Sequence, residues 1–207
     1  MKLKIESDNL EEFRKEIPPY IEYSTPLIQE KIHHINSIAT NDKERAKIAF
    51  ELVRDNISHS FDTKSKVITI GANDTLKKQE GICFAKSHLL ATLLRGMGIP
   101  TGFCYQKVLR QGTIESGYAL HGLNAVYIEG IGWFRLDPRG NKQGIDSQFA
   151  IDKEKLAYPI RKELGEIDYN YVFIAPLPSV ITAMEQSEDC QALFYNRPEE
   201  ISVEYTI

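Results

Sequence analysis

Several features that would narrow the function at once are missing from this sequence. No apolar run approaches the ~18 residues that span a bilayer, and the N-terminal residues are charged, unlike those of a signal peptide. No block of basic residues occurs and the formal net charge is −4, which argues against nucleic acid as a partner. Only three widely spaced cysteines occur in 207 residues, which is typical of free thiols in a reducing compartment. We therefore expect a cytoplasmic protein with no membrane and no nucleic acid among its partners.

The spacings of a metal site and of a repeat protein are also absent. Neither CxxC nor HxxxH occurs, so a zinc site has little support, and we expect no metal and no other cofactor. No internal repeat or low-complexity linker is visible, and the length fits one domain. We predict a single domain over residues 1–207, with an N-terminal helical region at 1–39, a core at about 40–140 and a C-terminal extension at 141–207.

Helical spacing of apolar residues characterises the first half of the chain. Two such segments predict helices that begin near Pro26 and near Asn41 or Asp42. A third helical run follows Gly81 and ends at Gly98, where a proline comes two residues later. Its apolar residues occur on several sides, so this helix is predicted to lie buried at the centre of the fold.

From residue 101 onward the pattern favours strands. Three segments have the composition of strands: 102–108, 121–128 and 133–137. The last two are joined by a glycine-containing turn at 129–132. Farther along, residues 151–156 and 177–194 favour helix, and the last few residues look strand-like or frayed. The overall prediction is an α+β fold.

Cys83 is the residue best placed for chemistry. A cysteine acts as a nucleophile through its thiolate, and the ordinary thiol pKa is ~8.5. The partial positive charge at a helix N-terminus lowers that pKa, as does a neighbouring imidazolium. Cys83 stands at the predicted start of the third helix, and Gly81 lets the backbone turn sharply into it. Cys104 and Cys190 have no such setting.

A catalytic thiol also needs a base with an orienting carboxylate, and His121 and Asp137 fit these roles. If their strands pair around a turn centred on Glu129, the two residues lie directly opposite each other, with Cβ atoms ~5 Å apart. A slip of one residue would place them on opposite faces of the sheet. Packing the helix of Cys83 against their shared face would complete a Cys-His-Asp triad.

Three ordered segments resemble those of the transglutaminase-like superfamily. GICFA and the following helix, at 81–100, resemble its cysteine segment, HGLNAVYI at 121–128 its histidine segment, and GWFRLDP at 132–138 its aspartate segment. The resemblance covers roughly residues 40–140. It implies a papain-like α+β core, in which a buried helix bearing the cysteine packs against an antiparallel β-sheet, preceded by N-terminal helices. It also implies that Cys83 is the nucleophile, His121 the base and Asp137 the residue that orients the imidazole.

The sequence departs from the family at two positions and in length. Leu123 and Ala125 stand where family members commonly have tryptophan and glutamate, which bears on substrate preference. The chain is too short for the calcium sites and additional β-domains of the animal transglutaminases. A calcium-dependent protein crosslinker is therefore not expected.

The donors of an oxyanion hole and the roles of the triad residues each have a structural alternative. The backbone N–H of Cys83 is a natural first donor, and the side-chain amide of Gln79 is a candidate for the second, as in papain-like enzymes. A solvent-facing Gln79 is the simpler interpretation. Cys83 could instead be a buried structural thiol, His121 a core histidine, and Asp137 a cap for the turn at Pro138. The helix-start position of Cys83 and its matched partners favour the catalytic roles.

The predicted function is thiol-dependent acyl transfer or hydrolysis at an amide or peptide bond, through a thioester intermediate. Water as the acceptor gives a cysteine peptidase or amidase, which we favour because nothing indicates a site that excludes water. An amine as the acceptor gives a transglutaminase. An arylamine-type acetyl transferase would need a coenzyme A site, for which no phosphate-binding loop or basic cluster is seen. A non-catalytic binding protein of the same fold is a further alternative.

Overall fold

The computed structural model describes residues 1–201, in which helices dominate the first half and strands the centre. The helices are α1 (Pro26–Ile38), α2 (Asp42–Asn56), α3 (Ser60–Thr63), α4 (Ala72–Lys78), α5 (Cys83–Gly96), α6 (Pro178–Gln186) and α7 (Cys190–Asn196). The strands are β1 (Lys4–Ile5), β2 (Ser58–His59), β3 (Glu80–Gly81), β4 (Thr101–Leu109), β5 (Tyr118–Ile128), β6 (Gly132–Leu136), β7 (Ile167–Asp168) and β8 (Tyr171–Val172). The strand-like or frayed end that the sequence predicts at the last few residues lies outside the described residues, apart from Ile201.

The central sheet has four strands in the order β6-β5-β4-β7, and every neighbouring pair is antiparallel. Its three long strands confirm the strands predicted from the sequence. Two short parallel pairs, β1 with β8 and β2 with β3, lie outside this sheet. The second pair brings His59 beside Gly81, two residues before α5.

Helix α5 confirms the prediction of a buried central helix, because each of its residues from Cys83 to Arg95 is buried. One core cluster joins α5 to α1 and α2 and to the sheet, through side chains such as Ile32, Phe50 and Val126. A second cluster surrounds the first turn of α5 and includes residues of α6 and α7. The fold is thus a papain-like α+β core, with the cysteine-bearing helix packed on an antiparallel sheet.

Local signals account well for the predicted helices of the first half. Helix α1 begins at Pro26 as predicted, and Asn41 rather than Asp42 caps α2, since its side-chain oxygen accepts the Glu44 N–H at 2.9 Å. The helical segment predicted at 177–194 is present as two helices, α6 and α7, separated by three residues.

The helix predicted at residues 151–156 is wrong. These residues are irregular, and an isolated antiparallel bridge joins Gln148 to Lys155. Tertiary contacts override the local preference, because the Arg135 guanidinium binds Glu154 with N–O distances of 2.7 to 3.2 Å. Three residues later, the Ala157 N–H donates to the Asp137 carboxylate at 2.9 Å. The segment is therefore held against the sheet by these contacts and does not form a helix.

The predicted register of β5 and β6 is also wrong, by two residues. The observed pairs are Asn124 with Leu136 and Ile128 with Gly132, so the turn is centred on Gly130 rather than on Glu129. His121 and Asp137 are consequently diagonal neighbours and not directly opposite residues. Because side chains alternate with a period of two, a two-residue error leaves both on the same face.

Candidate active site

Cys83 is the first residue of α5 and is buried, with 2% of its surface exposed. The first N–H groups of a helix have no intrahelical acceptor, so they give this end a partial positive charge. Glycines on both sides let the backbone approach closely. A Cβ on Gly81 would lie 2.8 Å from Thr69 Oγ1, and one on Gly122 would lie 2.7 Å from the ring of Phe84. Close packing, rather than the sharp turn expected from the sequence, is thus what Gly81 provides.

His121 lies between the thiol of Cys83 and the carboxylate of Asp137. Its Nε2 is 2.8 Å from Asp137 Oδ2, and the imidazole interacts with the thiol by charge and hydrogen bonding. Asp137 is fully buried, and its carboxylate also accepts hydrogen bonds from the backbone N–H of Arg139 at 3.1 Å and from that of Ala157 at 2.9 Å. The carboxylate is therefore fixed by three donors, and it fixes the orientation of the imidazole in turn.

The electrostatics of these three groups favour a thiolate beside an imidazolium. Burial acts to raise the pKa of the Cys83 thiol, but the His121 charge and hydrogen bond, together with the Arg197 charge, lower that pKa below its ordinary value. Burial acts to lower the pKa of His121, but Asp137 and Cys83 raise it to about 9. The pKa of Asp137 is lowered despite burial, because the His121 charge and three hydrogen bonds stabilise the carboxylate.

A cavity of about 520 Å³ is lined by both Cys83 and His121. Its charged lining comprises two carboxylates, of Asp62 and Glu166, and five cationic side chains, of Arg110, Arg139, Lys142, Arg161 and Arg197. The cavity is therefore positively charged in a protein whose formal net charge is −4. Such a local excess of charge attracts anionic molecules.

The other two thiols lie in different surroundings. All three cysteines are free and buried, but burial raises the pKa of Cys104 to about 12 and that of Cys190 to about 11.

Within residues 1–201, no group of three or more His, Cys, Asp or Glu side chains is arranged to hold a metal ion. Over the same residues, no helix combines the length and apolarity that crossing a membrane requires.

Comparison with known proteins identifies the family of this site. A family model described as "Transglutaminase-like superfamily" matches residues 31–138, just over half of the chain, and this segment includes Cys83, His121 and Asp137. The chain belongs to the transglutaminase-like superfamily. No curated protein gives a significant match to it.

Among solved structures, one shares the fold of this transglutaminase-like protein at low sequence identity, and others are similar to it with lower scores. A "Putative Cysteine Protease" from Cytophaga hutchinsonii superposes with a TM-score of 0.52 at 18% identity, covering 64% of this chain and 43% of that one. The periplasmic domain of TgpA from Pseudomonas aeruginosa gives a TM-score of 0.46 at 17% identity, covering 61% and 45%. A TGase gives 0.46 at 14% identity, covering 71% and 42%. The chain thus spans less than half the length of each of these structures.

Gln79, the candidate oxyanion donor, is not brought to the cavity of this transglutaminase-like protein. It is exposed, and it ends α4 in a left-handed conformation with φ of 54°. Strand β3 lies between Gln79 and the start of α5 along the chain, and Gln79 is not among the residues that line the cavity. Proximity in sequence, four residues before Cys83, does not place its amide at the thiol.

His59 lines the same cavity and was not singled out as a functional residue by its sequence pattern. It ends β2, and its Nδ1 is buried with no hydrogen-bond partner in the described residues. Burial and the neighbouring Arg139 charge hold the pKa of His59 well below its ordinary value, so the ring is neutral. Its only sequence signal is its position just after α2, which becomes informative once β2 pairs with β3.

Tyr158 and Arg197 also line the cavity, and both lie in the part of the chain that follows the family match. The Tyr158 ring contacts the His121 ring edge to face, with centroids 4.8 Å apart, and its hydroxyl accepts from Arg139 Nε at 3.0 Å. Neither residue belongs to a recognisable motif. Only the fold brings these side chains to the thiol.

Proposed function

We propose that this protein hydrolyses an amide or peptide bond through a cysteine thioester. The observation that carries the proposal is the buried row of Cys83, His121 and Asp137, in which a thiol at a helix N-terminus adjoins an imidazole held 2.8 Å from a carboxylate. The lowered thiol pKa and the raised imidazole pKa are what an activated nucleophile requires.

The reaction follows from the roles these three groups can perform. The Cys83 thiolate attacks the carbonyl carbon, and the His121 imidazolium gives its proton to the leaving amine as the C–N bond breaks. Water then attacks the thioester while His121 accepts a proton from it, and the C–S bond breaks to release the acid and the thiolate. Asp137 holds the imidazole in one orientation throughout.

Two donors are available for the oxyanion that forms in each step. The first is the backbone N–H of Cys83, which lies in the first turn of α5 and has no intrahelical acceptor. His59, which lines the same cavity as Cys83, is the second donor that we propose. An unpartnered, buried Nδ1 is better tolerated as a bare acceptor than as an N–H, so the proton of the neutral ring resides on Nε2. We propose that this Nε2–H donates the second hydrogen bond to the oxyanion, the role for which Gln79 was the candidate in the sequence.

The charge of the cavity favours water over an amine as the acceptor. A primary amine is an ammonium ion at neutral pH, and five cationic side chains against two carboxylates disfavour its entry. Water meets no such barrier, and a lining rich in charged groups keeps it present. Hydrolysis is therefore the proposed outcome, and transfer to an amine is the second candidate.

The first test compares the three thiols of one protein. The rate of iodoacetamide alkylation is measured against pH, and mass spectrometry assigns the modified cysteine. We expect Cys83 to react well below pH 8, and Cys104 and Cys190 to remain unmodified. In His121→Ala, labelling of Cys83 at pH 6.5 should fall about 100-fold, because an ordinary thiol is only ~1% ionised there. Labelling of Cys83 that rises only near pH ~8.5 in both proteins would refute the activated thiol.

A second test identifies the acceptor. The protein is incubated with a peptide mixture and a fluorescent primary amine, with Cys83→Ala as the matched control. New peptide N-termini without fluorescent product indicate hydrolysis, and incorporation of the amine indicates transglutaminase activity. If a reactive Cys83 produces neither product, a non-catalytic binding protein becomes the better interpretation.

A further inference from the structure

The positive charges of the cavity differ in how they are neutralised. Arg139 binds Asp62 through two N–O contacts of 2.6 and 2.9 Å, and Lys142 binds the same carboxylate at 2.6 Å. Arg161 binds Glu166 in the same bidentate manner. Both carboxylates of the cavity are therefore already occupied by cations of this chain.

Arg197 has no such partner. Its side chain is buried, with 8% of the residue exposed, yet no carboxylate of residues 1–201 lies within ion-pair distance of its guanidinium. The group lies 4.9 Å from the ring centroids of both Phe61 and Phe194, and its Nε donates to the Phe194 carbonyl at 3.3 Å. The aromatic rings hold the guanidinium in place, while the Nη groups have no hydrogen-bond acceptor among the described residues.

Arg197 differs from the other buried guanidiniums of the described residues, because Arg95, which also has no carboxylate partner, donates to three backbone carbonyls. Arg135 is similarly buried, and it binds the carboxylates of both Glu154 and Asp168. A buried charge without a counter-ion is costly unless a ligand supplies one. Arg197 and Cys83 line the same cavity, so the guanidinium and the reacting thiol face the same space. Its planar donors suit a carboxylate, which can accept two of them at once.

We propose that Arg197 binds a carboxylate of the substrate next to the bond that Cys83 cleaves. The substrate class is thus an acidic amide, whose carboxylate is either a free peptide C-terminus or the side chain of an aspartate or glutamate. This inference rests on the proposed function, since it assigns the specificity of the same site. At Arg197 the substrate carboxylate takes the place that a carboxylate of the protein occupies at Arg139 and at Arg161.

The test uses two alkylating reagents of nearly equal size, iodoacetate and iodoacetamide. Both form the S–C bond to Cys83 and release iodide, but only iodoacetate carries a carboxylate. We expect the ratio of the iodoacetate rate to the iodoacetamide rate to fall about tenfold in Arg197→Gln, the size expected for one charge-assisted pair. Lys142→Gln is the matched control. It removes one positive charge of the cavity, while the Asp62 carboxylate remains paired with Arg139. We expect this variant to change the ratio much less.

The same rates separate the possible failures. Slow iodoacetamide labelling of the wild-type protein would refute the proposed function itself. Fast labelling with a ratio that Arg197→Gln leaves unchanged would refute the carboxylate site alone. Because the Arg197 charge also lowers the Cys83 pKa, Arg197→Gln is expected to shift the pH profile of both reagents, and the ratio of their rates cancels this shared effect. If both reagents slow equally and the ratio stays constant, the guanidinium acts on the thiolate alone, and the proposal is wrong.

Protection by blocked tripeptides keeps the proposal testable even if Arg197→Gln does not fold. Acetyl-Ala-Ala-Ala as the free acid is compared with its C-terminal amide, and acetyl-Ala-Glu-Ala amide with acetyl-Ala-Gln-Ala amide. Each is added to the wild-type protein before iodoacetamide. If acetyl-Ala-Ala-Ala protects Cys83 better than its amide does, the site binds a terminal carboxylate. If the glutamate peptide protects better than the glutamine peptide, the site binds a side-chain carboxylate. Equal protection by the acidic and neutral members of both pairs would refute the proposal.

Discussion

Polar side chains are buried at both ends of α5, but their hydrogen-bonding groups are used within the protein at only one of the two ends. At the C-terminal end, the Arg95 guanidinium donates to the carbonyls of Thr101, Lys15 and Ile174 at 2.5 to 3.0 Å, so its donors are used within the protein. At the N-terminal end, the ring of His59 and the guanidinium of Arg197 keep hydrogen-bonding capacity that no described residue uses. Unused hydrogen-bonding capacity in a buried site is costly for stability, and functional sites are where proteins tend to keep it.

The largest effect on stability is expected from the C-terminal end of α5. Arg95→Met leaves three carbonyls without their donor, and we expect the free energy of unfolding to fall by about 3–4 kcal/mol. Urea denaturation measures this loss. The iodoacetamide rate of Cys83 in the folded variant should match that of the wild-type protein. A changed rate would show that the two ends are coupled, and would break the distinction between them.

Asp137→Asn tests the N-terminal end. The change removes the charge that keeps His121 protonated, so labelling of Cys83 at pH 6.5 should fall about tenfold or more. The free energy of unfolding should fall by about 2 kcal/mol, because the buried group loses an acceptor for one of its three donors. Asp168→Asn is the control, since that carboxylate binds Arg135 rather than the imidazole. Equal labelling in both variants would contradict the role of Asp137.

A pair of glycine substitutions sharpens the comparison at smaller cost. In Gly122→Ala, the new Cβ would lie 2.7 Å from the Phe84 ring, so the first turn of α5 must move. We expect a loss of about 1–3 kcal/mol in unfolding free energy and a several-fold change in the labelling of Cys83. Gly98 follows the other end of α5 with φ of 78° and open space around it. Gly98→Ala should cost about 1 kcal/mol by backbone strain alone, and leave the labelling unchanged.

The smallest expected effect is a pH dependence of the reagent preference. The pKa of His121 is raised to about 9, so its positive charge persists through neutral pH and is lost as the pH rises through that value. The ratio of the iodoacetate rate to the iodoacetamide rate should therefore fall about two- to threefold between pH 8 and 10. Arg197 stays charged over this range and keeps its share of the preference. A ratio that is constant across pH 9 would contradict the raised pKa.

The sequence supports some elements of this fold far better than others. The helix containing Cys83 can be predicted because a long apolar run ends at a glycine that a proline follows. The central strands can be predicted because each segment has a strand-like composition of its own. The register of β5 and β6 depends on which residue is at the turn centre. Gly130 and Gly132 both adopt positive φ, and that choice cannot be read from glycine content alone.

Only part of the candidate site can be predicted from the sequence, because some of its residues depend on how distant segments pair. Cys83, His121 and Asp137 lie in motifs whose order and spacing can be recognised. His59 and Arg197 are single residues, and they reach the cavity only through the pairing of β2 with β3 and the packing of α7. Gln79 is nearer to the thiol in sequence than either of them, yet the left-handed turn at its own position carries it away. Distance along the chain is a poor guide where short elements reverse direction.

The cavity draws its lining from both sides of residue 138, where the family match ends. The groups assigned to bond cleavage precede that boundary, whereas Tyr158, Arg161 and Arg197 follow it. Substitutions of side chains in the later segment can therefore change which molecules the cavity binds while Cys83, His121 and Asp137 themselves stay the same. The specificity of the cavity is therefore open to change one side chain at a time, provided that the backbone donors at Arg139 and Ala157 continue to hold the Asp137 carboxylate.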